Sequence, residues 1–334
     1  MSPAALSQAY RAAREQAALI RRTHGLIVVS GRDRASYLQG LLTNDIVALQ
    51  AGQGCYAAYL TAQGRMISDL HVHELGDVML LVLPLSTRET VLTRLDQFIF
   101  SEDVQLGDVT DTFAALAVVG PAAGTLVAGV TGMSPDELTA LPEHGAVRRE
   151  IGGDTLIVRQ VTDPGVPGFE LIGQRDRIAA AAEALRQAGA PEADDPTADL
   201  LRIEAGVPLF GRDMDEETIP LEAGIEPRAI SFTKGCYVGQ EIIIRVLHRG
   251  HGRVARKLVG LTFDPRGDVP PPGSAVHAAE REVGTITSSA VSPTLARGIA
   301  LAYLKRDAVE AGQPVTVAGD RTAQIVPLPF VIRA

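Results

Sequence analysis

An α+β protein of more than one domain is predicted, and three observations predict it. Helix-periodic and strand-like segments alternate through the first three quarters of the chain. Those strands follow one another as meanders, with no βαβ repeat. From Arg253 the texture changes to short strands broken by turns such as 270–273 (PPPG). The 334 residues suit two or three domains. The change of texture divides them into an α+β region over 1–252 and an all-β barrel or sandwich over 253–334.

Each element has a local reason. The first ~20 residues read as a helix, with Leu6, Tyr10, Ala13, Ala17 and Ile20 on one stripe. Residues 25–31 (GLIVVSG) read as a buried strand. Helical spacing then clusters Tyr37, Leu38, Leu41 and Leu42. Residues 55–84 read as three strands, turning at 62–65 and at Gly76-Asp77. A helix over 86–98 opens on Ser86 as its N-cap. Residues 114–120 (AALAVVG) form a strand, and Pro121 suits the first position of a helix. A strand pair around 146–160, a strand over 168–173 and a helix over 174–189 follow. The next helix opens near Pro196.

Composition removes several classes of function. At 46% hydrophobic and 21% charged residues, the chain is neither disordered nor fibrous. A net charge of −9 argues against a nucleic-acid coat. The Ala-rich start is broken by charges from Arg11 to Arg22 and lacks an export signal's apolar run. No stretch is apolar for long enough to span a bilayer, so a cytoplasmic protein without a membrane partner is expected. Walker, Rossmann, C-x-x-C, H-E-x-x-H and G-x-S-x-G patterns are absent.

The most informative stretch is 231–257, centred on Lys234-Gly235-Cys236-Tyr237-Val238-Gly239-Gln240-Glu241. The glycines permit close backbone approach or positive φ. A helix beginning near Gly239 would put the Cys236 thiol at its N-terminus beside the Lys234 ammonium, and both favour thiolate. The alternative is a buried, inert cysteine, which is the reading given to Cys55. Between Ile242 and Lys257 stand Arg245, Arg249, Arg253, Arg256 and Lys257, joined by His248 and His251, with no acid. Such local positive charge on an acidic protein suits an anionic ligand or partner, or simply a solvated edge. On a strand, Asp69, His71 and His73 share one face. That spacing can ligate a metal. Without a supporting cluster it reads as the polar face of a half-buried strand, and no metal is expected.

The KGCYVGQE motif, with YLQGLLTNDI (37–46), the Gly64-Arg65 turn before Asp69, GFELIG (168–173) and LRIEAGVPLFGRDMDEETIPLE (201–222), resembles the YgfZ family. That family is itself similar to the glycine-cleavage T-protein, an aminomethyltransferase. The resemblance runs from about Leu26 to Phe330. It implies a three-domain ring or cloverleaf, with two intertwined α+β subdomains in 1–252 and a barrel after them. It implies a tetrahydrofolate cleft and a role with iron–sulfur client enzymes or cluster-assembly proteins, exercised through a reactive Cys236 assisted by Lys234. On the T-protein pattern, Glu170 would meet the N–H edge of the pterin. Arg202 would meet the folate's carboxylate tail, and Asp69 would be the catalytic carboxylate, with Ser68 replacing a second acid. Tyr56, Tyr59, Phe210 and Tyr237 are the aromatics available for stacking. Gln240 and Arg245 complete the expected cofactor contacts, Arg245 and Arg249 serving a polyglutamate extension. Two other functions stay open: a true aminomethyltransferase, and a client-docking protein with no small ligand.

Overall fold

The structure is a computed structural model that describes residues 8–248, 253–264, 268–311, 313–319 and 321–331. Its strands form two five-stranded antiparallel sheets and a closed barrel.

The first sheet runs in spatial order Gly54–Leu60, Met66–Glu74, Met79–Pro84, His24–Ser30 and Gln105–Asp108. Its inward side chains, among them Ile27, Leu70, Val72 and Leu81, pack on the helices Arg34–Leu41 and Arg88–Asp96. The second sheet runs Ala18–Arg22, Phe113–Val119, Gly168–Gln174, Asp154–Val161 and Ala146–Ile151. The helices Ala123–Thr131 and Arg175–Gln187 cover one of its faces. The two sheets meet through Leu26, Leu80 and Val82 on one side and Ala115, Ile157 and Ile172 on the other. The barrel closes in the order Arg256–Phe263, Arg297–Lys305, Arg281–Ser292, Ala275–Ala278, Val315–Val317 and Arg321–Val326. The fold is therefore α+β with a terminal six-stranded barrel, as expected.

The differences have physical causes. Among the described residues the opening helix covers Gln8–Glu15; Leu6 lies outside them, and Ala17 and Ile20 leave the helix. The chain from Ala18 pairs instead with Phe113–Val119, in register Ala18↔Val119. Ser86 caps no helix. It sits in a single 3₁₀ turn, Leu85–Thr87, and the α-helix begins at Arg88 with no side-chain cap on Thr87. Pro121 also precedes its helix, which starts at Ala123. The edge strand Gln105–Asp108 and the capped helix Pro135–Thr139 went unread.

Buried carboxylates fasten the barrel to the rest. Glu204, at the end of the helix Asp195–Glu204, accepts from Tyr10 Oη at 2.8 Å, from Ser292 and from Arg14. Its backbone oxygen accepts from Phe330 and Val331. Asp213 accepts from Arg202 Nη1 at 2.6 Å and from Ser288 at 2.7 Å.

Gly239 is held at φ +85° against the turn at Gly64. A Cβ there would stand 2.6 Å from the Thr61 carbonyl oxygen. Gly239→Ala is expected to destabilise by about 1–3 kcal/mol. Gly235 has nothing within 4 Å of its own Cβ position, and Gly235→Ala is expected to be neutral or mildly stabilising. Paired thermal melts of the two variants check this contrast.

Candidate functional site

A cavity of about 430 Å³ opens where the two sheets, the helix Asp195–Glu204 and the connecting segment 207–228 converge. Ile20–Arg22 and His24 wall one side. Tyr56, Asp69 and His71 wall another, and Asp163, Arg202 and Arg228 are among the other polar residues of the lining. The period of two explains the middle group. Along Met66–Glu74, Leu70 and Val72 point into the core, so Asp69 and His71 point into the cavity. Register then sets their neighbours. Tyr56 lies directly across from His71, with ring centroids 5.1 Å apart, and reaches diagonally to donate its hydroxyl to Asp69 Oδ2 at 2.7 Å. The Arg228 guanidinium lies over the Tyr56 ring, 5.2 Å from its centroid.

This corner is chemically incomplete. Asp69 Oδ1, His71 Nδ1 and Asp163 Oδ1 are buried and have no hydrogen-bond partner among the described residues. Burial pushes the Asp69 carboxyl up to about 6, against the opposing hydrogen bond from Tyr56. Burial also lowers His71 far below its ordinary value, and Arg159 reinforces this, so the imidazole is neutral. A neutral imidazole, a carboxylate that titrates near neutral pH and a second carboxylate therefore face one hollow. That arrangement can bind a flat heterocycle rich in N–H groups and exchange a proton with it.

Beneath the cavity lies a buried ionic layer that bridges the sheets. Glu170 is fully buried. It accepts from Arg159 Nε at 2.5 Å, pairs with His24 Nε2 at 3.0 Å and lies 3.6 Å from Arg22 Nε. Burial opposes its charge, but Arg159 and His24 outweigh that and hold the carboxyl well below its ordinary range. Arg22 also pairs with Asp163. Arg159 reaches His73 Nε2 at 3.5 Å, and His73, lowered by burial to about 3, bonds to the His144 carbonyl.

Of the residues singled out from sequence, Tyr56, Asp69, His71 and Arg202 line the cavity. Glu170 does not. Its oxygens are taken by Arg159 and His24, partners supplied by strand register and by the facing sheet. Arg202 is on the lining, but its guanidinium is committed to Asp199, Asp213, Ser288 and the Val207 carbonyl. Arg228 lines the cavity without a carboxylate partner among the described residues, and sequence reasoning passed over it.

The KGCYVGQE segment also lies outside the cavity lining. Lys234 turns inward and donates to the carbonyls of Gln39, Leu42 and Asn44 at 2.6, 2.7 and 2.8 Å, closing the end of the helix Arg34–Leu41. Burial lowers its ammonium to about 8. That commitment takes the cation away from Cys236. The helix starts at Gln240, leaving the exposed Cys236 upstream of its first turn. Tyr237 is buried in an apolar cluster with Tyr56 and Ile243. Gln240 hydrogen-bonds the Gly235 carbonyl, and Arg245 is exposed on the helix. Arg249 and His251 lie outside the described residues, as does the His248 side chain. Cys55 is buried, and its thiol is pushed by burial up to about 12. A maleimide is therefore expected to label one of the two thiols in the folded protein and both in denaturant. Mass spectrometry of the intact chain and its peptides checks both the count and the position.

Comparison with known proteins adds a family. The GCVT N-terminal domain matches residues 3–234, and the glycine cleavage T-protein C-terminal barrel domain matches residues 256–331. An aminomethyltransferase of Rubrobacter xylanophilus is 34% identical over 99% of this chain and 87% of its own length. One of Geobacillus kaustophilus is 34% identical over 98% of this chain and 91% of its own. The crystal structure of the glycine cleavage system aminomethyltransferase T from Bartonella henselae superposes with a TM-score of 0.86. At 23% identity it covers 97% of this chain and 89% of its own, and it shares the fold.

Proposed function

The chain belongs to the glycine-cleavage T-protein family, and from that premise we propose that the central cavity takes a tetrahydrofolate with which Asp69 exchanges a proton. The observation that carries this reading is the Asp69 carboxylate. The residue lines the cavity, one of its oxygens is fixed by Tyr56, and the other is buried without a hydrogen-bond partner among the described residues. A carboxyl poised at about 6 can hold or release a proton near neutral pH, as general acid–base work requires. Arg228, which has no salt-bridge partner among the described residues, replaces Arg202 as the residue for an anionic tail.

The reaction this geometry supports best is aminomethyl transfer. In it, the S–CH₂–NH₂ group of a lipoyl carrier and the two N–H groups of tetrahydrofolate give the free thiol, ammonia and methylene-tetrahydrofolate. Asp69 would hold the folate nitrogen and take up its proton, while Tyr56 fixes the carboxylate in place. The test is ammonia and methylene-tetrahydrofolate release from an aminomethylated lipoyl carrier. Failure to turn over with a competent carrier would exclude the transferase.

One observation favours a second use of the same folate. Cys236, in the KGCYVGQE motif typical of the YgfZ branch, is exposed to solvent and lies outside the cavity lining. A surface thiol suits transient contact with an iron–sulfur client or cluster-assembly protein. This accessory reading predicts that cluster enzymes lose activity in a strain lacking the protein and that Cys236→Ser fails to restore it. Full rescue by the variant would remove the thiol from the function.

A further inference from the structure

A second hollow, of about 250 Å³, lies on the barrel side of the molecule. One wall is the outer face of the barrel strands Arg281–Ser292 and Arg297–Lys305, and the other is the connecting segment 212–218. Arg212 alone also lines the central cavity. Two local devices shape the barrel wall. A bulge between Ile286 and Ser288 takes Thr287 out of the ladder, and its hydroxyl donates to Asp213. Gly284 lets the strands close up, since a Cβ there would stand 1.9 Å from the Tyr303 carbonyl oxygen. The buried Tyr303 and Thr218 lie at the floor, and the exposed Asp215, Glu282 and Lys305 stand at the rim.

The charges of this hollow are unequally committed. Asp213 accepts from Arg202 and Ser288, Arg212 pairs with Asp199, and Arg256 pairs with Glu222 while lying over the Tyr303 ring, 4.6 Å from its centroid. Asp215, Glu282 and Lys305 form no ion pair among the described residues. Asp215 accepts through Oδ1 from the Thr218 hydroxyl at 2.7 Å and the Glu217 amide at 3.0 Å. Lys305 Nζ donates at 3.1 Å to the backbone carbonyl of Glu282, which leaves its charge uncompensated. We infer that this hollow binds a small amino acid as its zwitterion, the ligand carboxylate meeting Lys305 and the ligand ammonium meeting Asp215 and Glu282. Charge selects the class. A dicarboxylate would be repelled by Asp215 and Glu282, and a diamine by Lys305, Arg212 and Arg256, whereas one charge of each sign satisfies both sets. Size limits the ligand further, because the hollow falls below the range of about 300–1,000 Å³ usual for larger ligands. The rim groups are exposed, so binding is weak and falls with ionic strength. The inference stands apart from the tetrahydrofolate reading.

The experiment is a ligand-observed NMR titration of the full chain with three probes. They are L-alanine, propionate, which lacks the ammonium, and ethylamine, which lacks the carboxylate. Wild type is expected to bind L-alanine about two- to fivefold more tightly than either single-charge probe, the worth of an ion pair at an exposed rim. Lys305→Gln and Asp215→Asn change exposed side chains, so both variants should fold, and each should lose a similar factor for L-alanine. Tetrahydrofolate affinity should be the same in wild type and both variants, because neither residue lines the central cavity. No binding of L-alanine by wild type, or equal binding of all three probes, overturns the inference without using any variant. L-alanine affinity unchanged in both variants also overturns it, since the amino acid would then sit elsewhere on the protein.

Discussion

Asp69→Asn is expected to lower one-carbon transfer onto tetrahydrofolate by about 100- to 10,000-fold, the range for loss of a positioned acid–base group. The substitution keeps shape and lets Tyr56 go on donating to the amide oxygen, so folate affinity should change far less than turnover. Wild type should show a pH limb near 6 that Asp69→Asn lacks. Tyr56→Phe removes a hydrogen bond that favours the ionised form and should move that limb upward. Stability should respond in the opposite sense to activity. The Asp69 carboxyl binds its proton more tightly folded than unfolded, so its contribution to stability is lost as pH rises from about 4 to about 6. Asp69→Asn removes that cost, and its melting temperature at pH 7 should exceed that of wild type. A lower one, with activity retained, would deny Asp69 both its strain and its role.

Arg159→Met is expected to be the most destabilising single change in the ionic layer, at about 3–5 kcal/mol, because it leaves a buried carboxylate short of its main counter-charge. Arg159→Met combined with Glu170→Leu should recover much of the loss, since replacing both partners leaves less uncompensated charge. Denaturant titration of the single and double variants separates these outcomes. The same layer sets the acid response. His24, His71, His73 and His144 are each lowered chiefly by burial, so the unfolded chain takes up protons near 6.5 while the folded one resists. Stability is therefore lost as pH falls below about 6.5, by at most about 1.4 kcal/mol per pH unit for each group. Glu170 and Asp163, held low in the folded state by Arg159 and Arg22 against the cost of burial, add to the loss below their ordinary range. Asp69 offsets part of it. Arg159 also lowers His71 and His73, so Arg159→Met should flatten the acid dependence as well as reduce stability overall. An unaltered slope between pH 7 and 4 would show that Arg159 does not govern it.

What could be read beforehand follows the range of the interaction. Asp69 was legible because a turn and a period of two place it on one face of a strand. The barrel was legible from the texture of its turns. Glu170 was misread because its fate depends on Arg159, its register partner on the neighbouring strand, and on His24 from the other sheet. Lys234 looked like a companion to Cys236, yet it spans to the helix Arg34–Leu41, almost two hundred residues away in sequence. Asp163 carried no local signal at all. It lies in a loop whose meaning appears only once Arg22 is folded against it. The opening helix shows the reverse case, in which a sound local preference yields to sheet pairing beyond Ala17.

The fastening at Glu204 has a thermodynamic corollary. One buried residue gathers the hydroxyl of Tyr10, the guanidinium of Arg14 and the hydroxyl of Ser292 on its carboxylate, and the amides of Phe330 and Val331 on its backbone carbonyl. Those groups belong to the opening helix, a barrel strand and the segment after the barrel. None of these parts can detach without orphaning the others, so calorimetry should record one cooperative transition rather than a separate early melting of the barrel.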